Sequence, residues 1–402
     1  MRTDRVAEQA RQANWQATVV VAVGVSSALH IGKLPVAIPA LRSELDLSLL
    51  EAGFLLSLVQ LAGMVLGLAV GLAADRLGPR RVMLGGLLLL ACGSGLGAVA
   101  TDVRLLLWTR ALEGLGFLLS VLPAPGLLRQ CVQQPPTLAR ALGWWGAYMP
   151  VGTAVALLAG APLIGLIGWR GLWLVLVATT LAAAALLTWR VPPRSSAAVP
   201  ATATGWAPRL RRTLSAPAPW WLALAFFCYS GQWLAVIGFL PAIYSQAGVT
   251  GALLGGMSAL AAGVNMSGNV AAGRLLARGI RPVVLMTTGY AGMAAGAWVA
   301  FGATDSPIAQ YLAVLLFSSL GGLVPGTLFG LAVRLAPGQE TVSTTVGWMQ
   351  QWSSLGQFVG PPLVAWLATL VGGWQWTWAV TGISSAAGLW LAWRLQRHWA
   401  GD

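Results

Sequence analysis

The chain has 402 residues, 57% of them apolar and only 9% charged, with a formal charge of +13. A soluble surface needs roughly a quarter or more charged residues, so this composition excludes a soluble globular protein. It excludes a nucleic-acid module too, because no Lys/Arg run is interleaved with aromatics and the positive charge reads as loop arginine that sets topology and meets anionic lipid.

The first 15 residues are polar and lead into a full-length apolar span, which predicts an uncleaved first helix rather than a signal peptide. Twelve apolar stretches follow in order, at 16–39, 49–73, 82–101, 105–128, 141–163, 171–189, 219–243, 252–273, 283–303, 308–333, 342–368 and 376–393. Each is long enough to cross about 30 Å of hydrocarbon at 1.5 Å per residue. The joints between them alternate in charge. One set carries nineteen of the 24 basic residues and the other only Arg42, Arg104 and Arg170. Basic joints stay cytoplasmic, so both termini and the long central loop are expected inside. Cys92, Cys131 and Cys228 are isolated within apolar stretches and read as packing residues, with no metal or disulfide framework. The single lysine, Lys33, precedes Leu34, so no Gly-Lys-Ser/Thr phosphate loop exists and the chain is not its own ATPase of that kind.

The sequence matches itself at half its length. Pro39-Ala40 answers to Pro241-Ala242 and Gly53 to Gly255 at an offset of 202, while Gly67 and Gly78 answer to Gly268 and Gly279 at 201. Gly143-Trp144 and Gly152 answer to Gly347-Trp348 and Gly356 at 204, and Trp169 and Trp173 to Trp374 and Trp378 at 205. This predicts two six-helix bundles, residues 1–190 and 219–402, joined by a cytoplasmic linker at 191–218, with a solute site at their interface near mid-membrane.

Between the second and third stretches stands Gly71-Leu-Ala-Ala-Asp75-Arg76-Leu-Gly78-Pro-Arg80-Arg81. An ordinary positive-inside turn explains its arginines but not the Gly-x3-Asp-Arg-x-Gly spacing. The segment resembles the loop 2–3 motif of the major facilitator superfamily, and the twelve stretches, the repeat and the long central loop extend that resemblance over the whole chain. The resemblance implies an all-α membrane fold of twelve helices and a cytoplasmic latch formed by Gly71, Asp75, Arg76, Gly78, Arg80 and Arg81. In the family the Asp meets the start of helix 11, here near Glu340-Thr341, and a helix N-terminus attracts an anion. The second-half counterpart, Gly273 to Arg281, keeps Gly and Arg but lacks the Asp, which predicts a weaker second latch.

Four ionisable side chains sit well inside the stretches: His30 and Lys33 in the first, Arg110 and Glu113 in the fourth. A charge at the bilayer centre costs about 2.5–3.5 kcal/mol on insertion scales, so such groups usually face a cavity and have a role. Both pairs have i,i+3 spacing and lie at matching depths, which predicts one cluster in the outward half of the first repeat. Structural readings stand beside the functional ones. Arg110 and Glu113 also suit a self-neutralising pair packed against Gly114 and Gly116, Lys33 a snorkelling residue, and His30 a satisfied buried histidine. In the family, helices 1, 4, 7 and 10 line the cavity, and the stretch Arg110 to Gly116 is similar to the helix 4 motif of proton-coupled members. The same resemblance puts His30 where drug/proton antiporters carry an Asp, and it leaves the family's helix 5 Gly-Pro motif unmet. The second half offers amides and aromatics instead, among them Gln232, Gln351 and Trp352, and the fifth stretch offers Tyr148. Trp173, Trp374 and Trp378 read as interfacial belt residues. Gly360-Pro361-Pro362 reads as a break in the eleventh stretch, and Pro123, Pro125 and Pro325 as bend points.

Together these expectations describe a monomeric, multi-pass transporter of a bacterial inner membrane that works by alternating access, without a cofactor or metal and without enzymatic activity. Lys33 and Arg110, with Tyr148, Gln232, Gln351 and Trp352, are expected to bind a small organic or inorganic anion. His30 and Glu113 are expected to carry the coupled proton. The alternative is proton-driven efflux of amphipathic compounds; a membrane-embedded enzyme or sensor would need a catalytic constellation, and with Cys scattered and His only at 30 and 398 the sequence offers none.

Overall fold

The computed structural model describes residues 2–132, 134–193, 205–338 and 341–399. All twelve apolar stretches are helical, and several are broken where the sequence weakens the hydrogen-bond ladder. The first is α1 (Arg2–Leu45), which continues through Pro35 and Pro39. The second is α2 (Leu49–Leu58) and α3 (Leu61–Leu77), separated by a tight turn at Val59 and Gln60. Ser48 and Glu51 form a reciprocal capping box at the start of α2, which satisfies two otherwise orphan donors. The third stretch is α4 (Pro79–Ala98); the fourth is α5 (Val103–Val121) and α6 (Ala124–Cys131), which part at Pro123.

The fifth and sixth share α7 (Pro135–Gly146) and α8 (Tyr148–Arg190). α8 is two helices joined at Gly168, whose φ of 70° and ψ of 171° no other residue adopts readily. A short α9 (Trp206–Ser215) precedes α10 (Pro217–Gln246), the seventh stretch. The eighth is α11 (Gly251–Gly263) and α12 (Asn265–Ala277), and the ninth is α13 (Pro282–Trp298) with a π-helical turn at Val299–Ala303. The tenth is α14 (Pro307–Gly321) and α15 (Leu323–Leu335). α16 (Val342–Val371) and α17 (Thr377–Trp399) are the last two. Nine helical runs among the described residues are long and apolar enough to cross a membrane.

Three sequence expectations change here. α16 runs unbroken through Pro361 and Pro362, so the predicted break is absent. Its backbone is held there by close packing, since a Cβ on Gly360 would collide with the Gly231 backbone of α10. Trp173 is buried rather than interfacial. Cys92 is exposed on α4, whereas Cys131 and Cys228 are buried.

Packing follows the sequence halves. α1 lies along α8, α4 against α5 and α8, α10 against α16, and α13 against α17. Between the halves, α16 meets α2 and α3, α11 meets α8, and α1 meets α10. The two repeat-related glycines Gly53 and Gly255 sit in two of these contacts. A Cβ on Gly53 would lie 2.9 Å from Pro362 Cα, and one on Gly255 would lie 2.9 Å from the Leu157 carbonyl.

Candidate functional site

The four intramembrane ionisable groups meet in one cluster. His30 and Lys33 share a face of α1, and Arg110 and Glu113 share a face of α5. All four are buried. Lys33 Nζ donates to Glu113 Oε1 at 2.5 Å and to Ser94 Oγ of α4 at 2.9 Å. Its third neighbour is His30 Nδ1 at 3.3 Å. An ammonium has donors only, so Nδ1 accepts, and the ring proton sits on Nε2, 2.8 Å from Thr180 Oγ1 of α8. Trp173 covers the ammonium, with its ring centroid 4.3 Å from Nζ. Arg110 Nη1 donates to Glu113 Oε2 at 2.6 Å and to the His30 carbonyl at 2.7 Å, and Nε donates to the Leu55 carbonyl of α2 at 3.1 Å.

Every partner belongs to the first half of the chain. With His30 neutral, two cations and one anion leave a formal charge of +1 inside this bundle. The glycines beside the cluster permit the approach. A Cβ on Gly93 would lie 3.0 Å from the Glu113 nitrogen, and one on Gly97 would lie 3.0 Å from Trp173 Nε1.

The second half repeats this frame without its charges. Gln232, 202 positions after His30, accepts at Oε1 from Ser385 Oγ at 3.0 Å, and Ser385 stands 205 positions after Thr180. At the C-terminal ends of α1 and α10, Trp169 Nε1 donates to Glu44 Oε2 at 2.7 Å and Trp374 Nε1 to Gln246 Oε1 at 2.9 Å, again at offsets of 205 and 202. Arg170 also pairs with Glu44.

The residues expected to bind substrate do not converge. Lys33 and Arg110 are in the cluster, while Gln232 is buried inside the second half and also donates to the Cys228 carbonyl. Gln351 Nε2 donates to the Met64 carbonyl of α3 at 2.7 Å. Trp352 packs edge-on to Trp220, Trp348 and Phe227. It shares its helix face with Val359, Leu363, Trp366 and Leu370, all exposed. Tyr148 stacks on Trp145 at 4.4 Å.

In the loop motif, Gly78 adopts φ 89° between α3 and α4, which requires glycine. Arg80 donates to the Val191 and Thr188 carbonyls at the end of α8, at 2.5 and 3.0 Å. Gly78, Arg80 and Arg81 line a cavity of about 220 Å³ with Val191 and Pro192. Gly71, Asp75 and Arg76 lie in α3, and their side chains, like Glu340, lie outside the described residues.

A polar seam between the halves was not foreseen. Gln60, at the turn between α2 and α3, donates through Nε2 to Gln357 Oε1 of α16 at 3.0 Å. Gln357 Nε2 donates in turn to Ser353 Oγ at 3.3 Å, and the Ser353 carbonyl accepts from Ser230 Oγ of α10 at 2.8 Å. The usable signal was the rarity of buried amides in apolar helices, which need partners; Gln60 alone gives no hint of which helix supplies one.

Apolar helices joined by basic turns, a buried ion cluster and a polar seam define a multi-pass membrane protein of the transporter class. The chain belongs to the Major Facilitator Superfamily, whose profile matches residues 18–350. It is 32% identical over 181 residues to the puromycin resistance protein of Streptomyces alboniger, covering 45% of this chain and 35% of that one. It is 32% identical over 171 residues to the tetracenomycin C resistance and export protein of Streptomyces glaucescens, covering 42% and 31%. The chain thus spans about a third of the length of these curated relatives. Among solved structures, a bacterial homolog to the human lysosomal transporter Spinster matches in two inward-facing conformations. The occupied form gives a TM-score of 0.78 and the unoccupied form 0.72, each at 16% identity over 95% of this chain and 96% and 98% of that one.

Proposed function

We propose that the protein exports amphipathic, drug-like compounds across a bacterial plasma membrane, driven by protons. Residues 1–190 and 219–402 rock about a central interface by alternating access, with 191–218 as the linker. The observation that carries this reading is the engagement of Lys33. Its three hydrogen-bonding neighbours are Glu113, Ser94 and His30, and Trp173 covers it. The cation expected to hold an anionic solute is therefore enclosed within the first bundle, and the support for an anion as substrate falls with it. The resistance and export proteins among the relatives support efflux in its place.

The same cluster suits proton coupling. A proton added to His30 Nδ1 would abolish its contact with Lys33, and one added to Glu113 would remove the charge that pairs both Lys33 and Arg110. Either event rearranges α1 against α5 without a solute touching them.

The test is transport in proteoliposomes with an imposed pH gradient, comparing ethidium as a lipophilic cation, puromycin, and lactate as a small anion. The expected result is gradient-dependent accumulation of ethidium or puromycin and none of lactate. Lactate transport that Lys33→Met abolishes would reinstate the anion reading.

A further inference from the structure

The cluster and the seam lie on different faces of the second stretch, and one feature connects them. Between α2 and α3 the helix tightens. The Val59 N–H turns to the Ser57 carbonyl, and the Gln60 N–H bonds that same carbonyl at 2.8 Å. Just before this turn the Leu55 carbonyl takes Arg110 Nε. At the turn itself, Gly114 of α5 packs so closely that a Cβ there would lie 2.6 Å from the Val59 carbonyl oxygen. Immediately after it, Gln60 reaches Gln357 in the other half.

We propose that Arg110 is a positioning residue: by holding the Leu55 carbonyl it fixes the turn at Val59–Gln60, and through that turn the buried cluster controls the Gln60–Gln357 contact between the halves. The reasoning is geometric. Arg110 joins Glu113, the His30 carbonyl and the Leu55 carbonyl through one planar guanidinium. A change in the charge of Glu113 or in its pairing with Lys33 therefore changes the pull on α2. A helix interrupted at one turn bends there more readily than elsewhere, so the displacement falls on Gln60. Energetic coupling between separated sites needs an element with two arrangements that both sites bias, and the broken turn supplies it. This inference goes beyond the export reading, and its test uses no substrate, so either can fail alone.

The experiment is hydrogen–deuterium exchange on the full chain in lipid nanodiscs, comparing wild type with Arg110→Lys and Gly114→Ala. Lysine keeps the charge beside Glu113, but its single nitrogen cannot reach all three acceptors in this arrangement. Gly114→Ala disturbs the turn from the α5 side while leaving the four ionisable residues intact. In both variants, faster exchange is expected in peptides covering 55–64 and 350–360, with 282–298 unchanged. Faster exchange confined to α1, α4 and α5, with 350–360 at the wild-type rate, would overturn the proposal. If Arg110→Lys does not fold, Gly114→Ala decides alone by the same criterion.

A thermal double-variant cycle adds an independent reading. Arg110 and Gln357 share no partner, and distant sites normally contribute additively. Arg110→Lys and Gln357→Leu are expected to lower Tm by less together than the sum of their separate shifts; additive shifts would count against the linkage.

Discussion

His30 Nε2 lies 2.8 Å from Thr180 Oγ1, a tie between α1 and the second part of α8 that orients the imidazole so that Nδ1 meets Lys33. Gln232 and Ser385 repeat the tie between α10 and α17 at 3.0 Å. An amide replaces the imidazole, and the positions that answer to Lys33 at an offset of 202 and to Arg110 and Glu113 at 204 are Ala235, Val314 and Phe317. One half thus carries titratable groups in a frame that the other half keeps neutral. Under the proton-coupled reading, this asymmetry assigns the titrating group to the first bundle.

His30→Gln follows directly from this relationship. It gives the first half the residue that already serves the second, so the fold and the tie to Thr180 should survive. The titratable ring is lost, and under the proton-coupled reading export driven by a pH gradient should drop at least tenfold while ligand-induced stabilisation persists. Wild-type gradient dependence in this variant would exclude His30 as the proton carrier.

Glu113→Gln and Lys33→Met should differ sharply in stability. Removing Glu113 leaves Lys33 and Arg110 buried together without an anion, and breaking a buried pair in this way costs about 3–5 kcal/mol. Removing Lys33 instead leaves the Arg110–Glu113 pair intact at 2.6 Å and brings the formal charge of the site to zero. A thermal unfolding series should place Glu113→Gln well below Lys33→Met, with Lys33→Met close to wild type. The reverse order would show that Lys33, not Glu113, anchors the cluster.

The cluster was legible because charges are rare inside apolar stretches, and i,i+3 spacing fixes which pairs share a helix face. Its neutral partners were not legible. Ser94, Thr180 and Trp173 are ordinary residues in their helices, and only the packing of α4 and α8 against α1 selects them. Which neighbours the second-half residues meet was hidden for a related reason. Consecutive residues on a helix point about 100° apart, so Gln351 and Trp352 face different neighbours, and sequence alone does not say which one meets the interface. The twelve helical stretches were readable from hydropathy, whereas the interruptions at Val59 and Val264 carry neither proline nor a polar run. The Pro361-Pro362 pair, the most obvious breaker, interrupts nothing.

Arg80→Lys should weaken the corner where the start of α4 meets the end of α8. Arg80 spans the Val191 and Thr188 carbonyls, which are left without helical donors where α8 ends. Lysine supplies one nitrogen where two are used, so one carbonyl loses its partner, at a cost of about 1–3 kcal/mol. Limited proteolysis in the linker after Val191 should accelerate, with α10 to α17 unaffected. An unchanged cleavage rate would show that this contact does not hold the end of α8.

Gly53→Leu and Gly255→Leu test the closure of the side predicted to face outward. Both glycines lie where the halves touch, and their repeat relation makes the two contacts equivalent: α2 on α16 at one, α11 on α8 at the other. A leucine at either position cannot fit 2.9 Å from backbone atoms of the opposite half, so the helices must separate there. The tight α10–α16 contact at Gly231 and Gly360 lies within the second half and moves with it. Separation at one seam therefore displaces α16 as a unit and carries Gln357 away from Gln60. Spin labels at the exposed positions Leu50 and Leu370, in a variant lacking the three cysteines, should report a longer distance in Gly53→Leu than in wild type. Under alternating access the same variant should bind an exported compound from the outer side while turnover falls at least tenfold. A wild-type distance with wild-type turnover would mean that the contact at Gly53 yields without moving the halves, and that the closed outer seam is no barrier in the cycle.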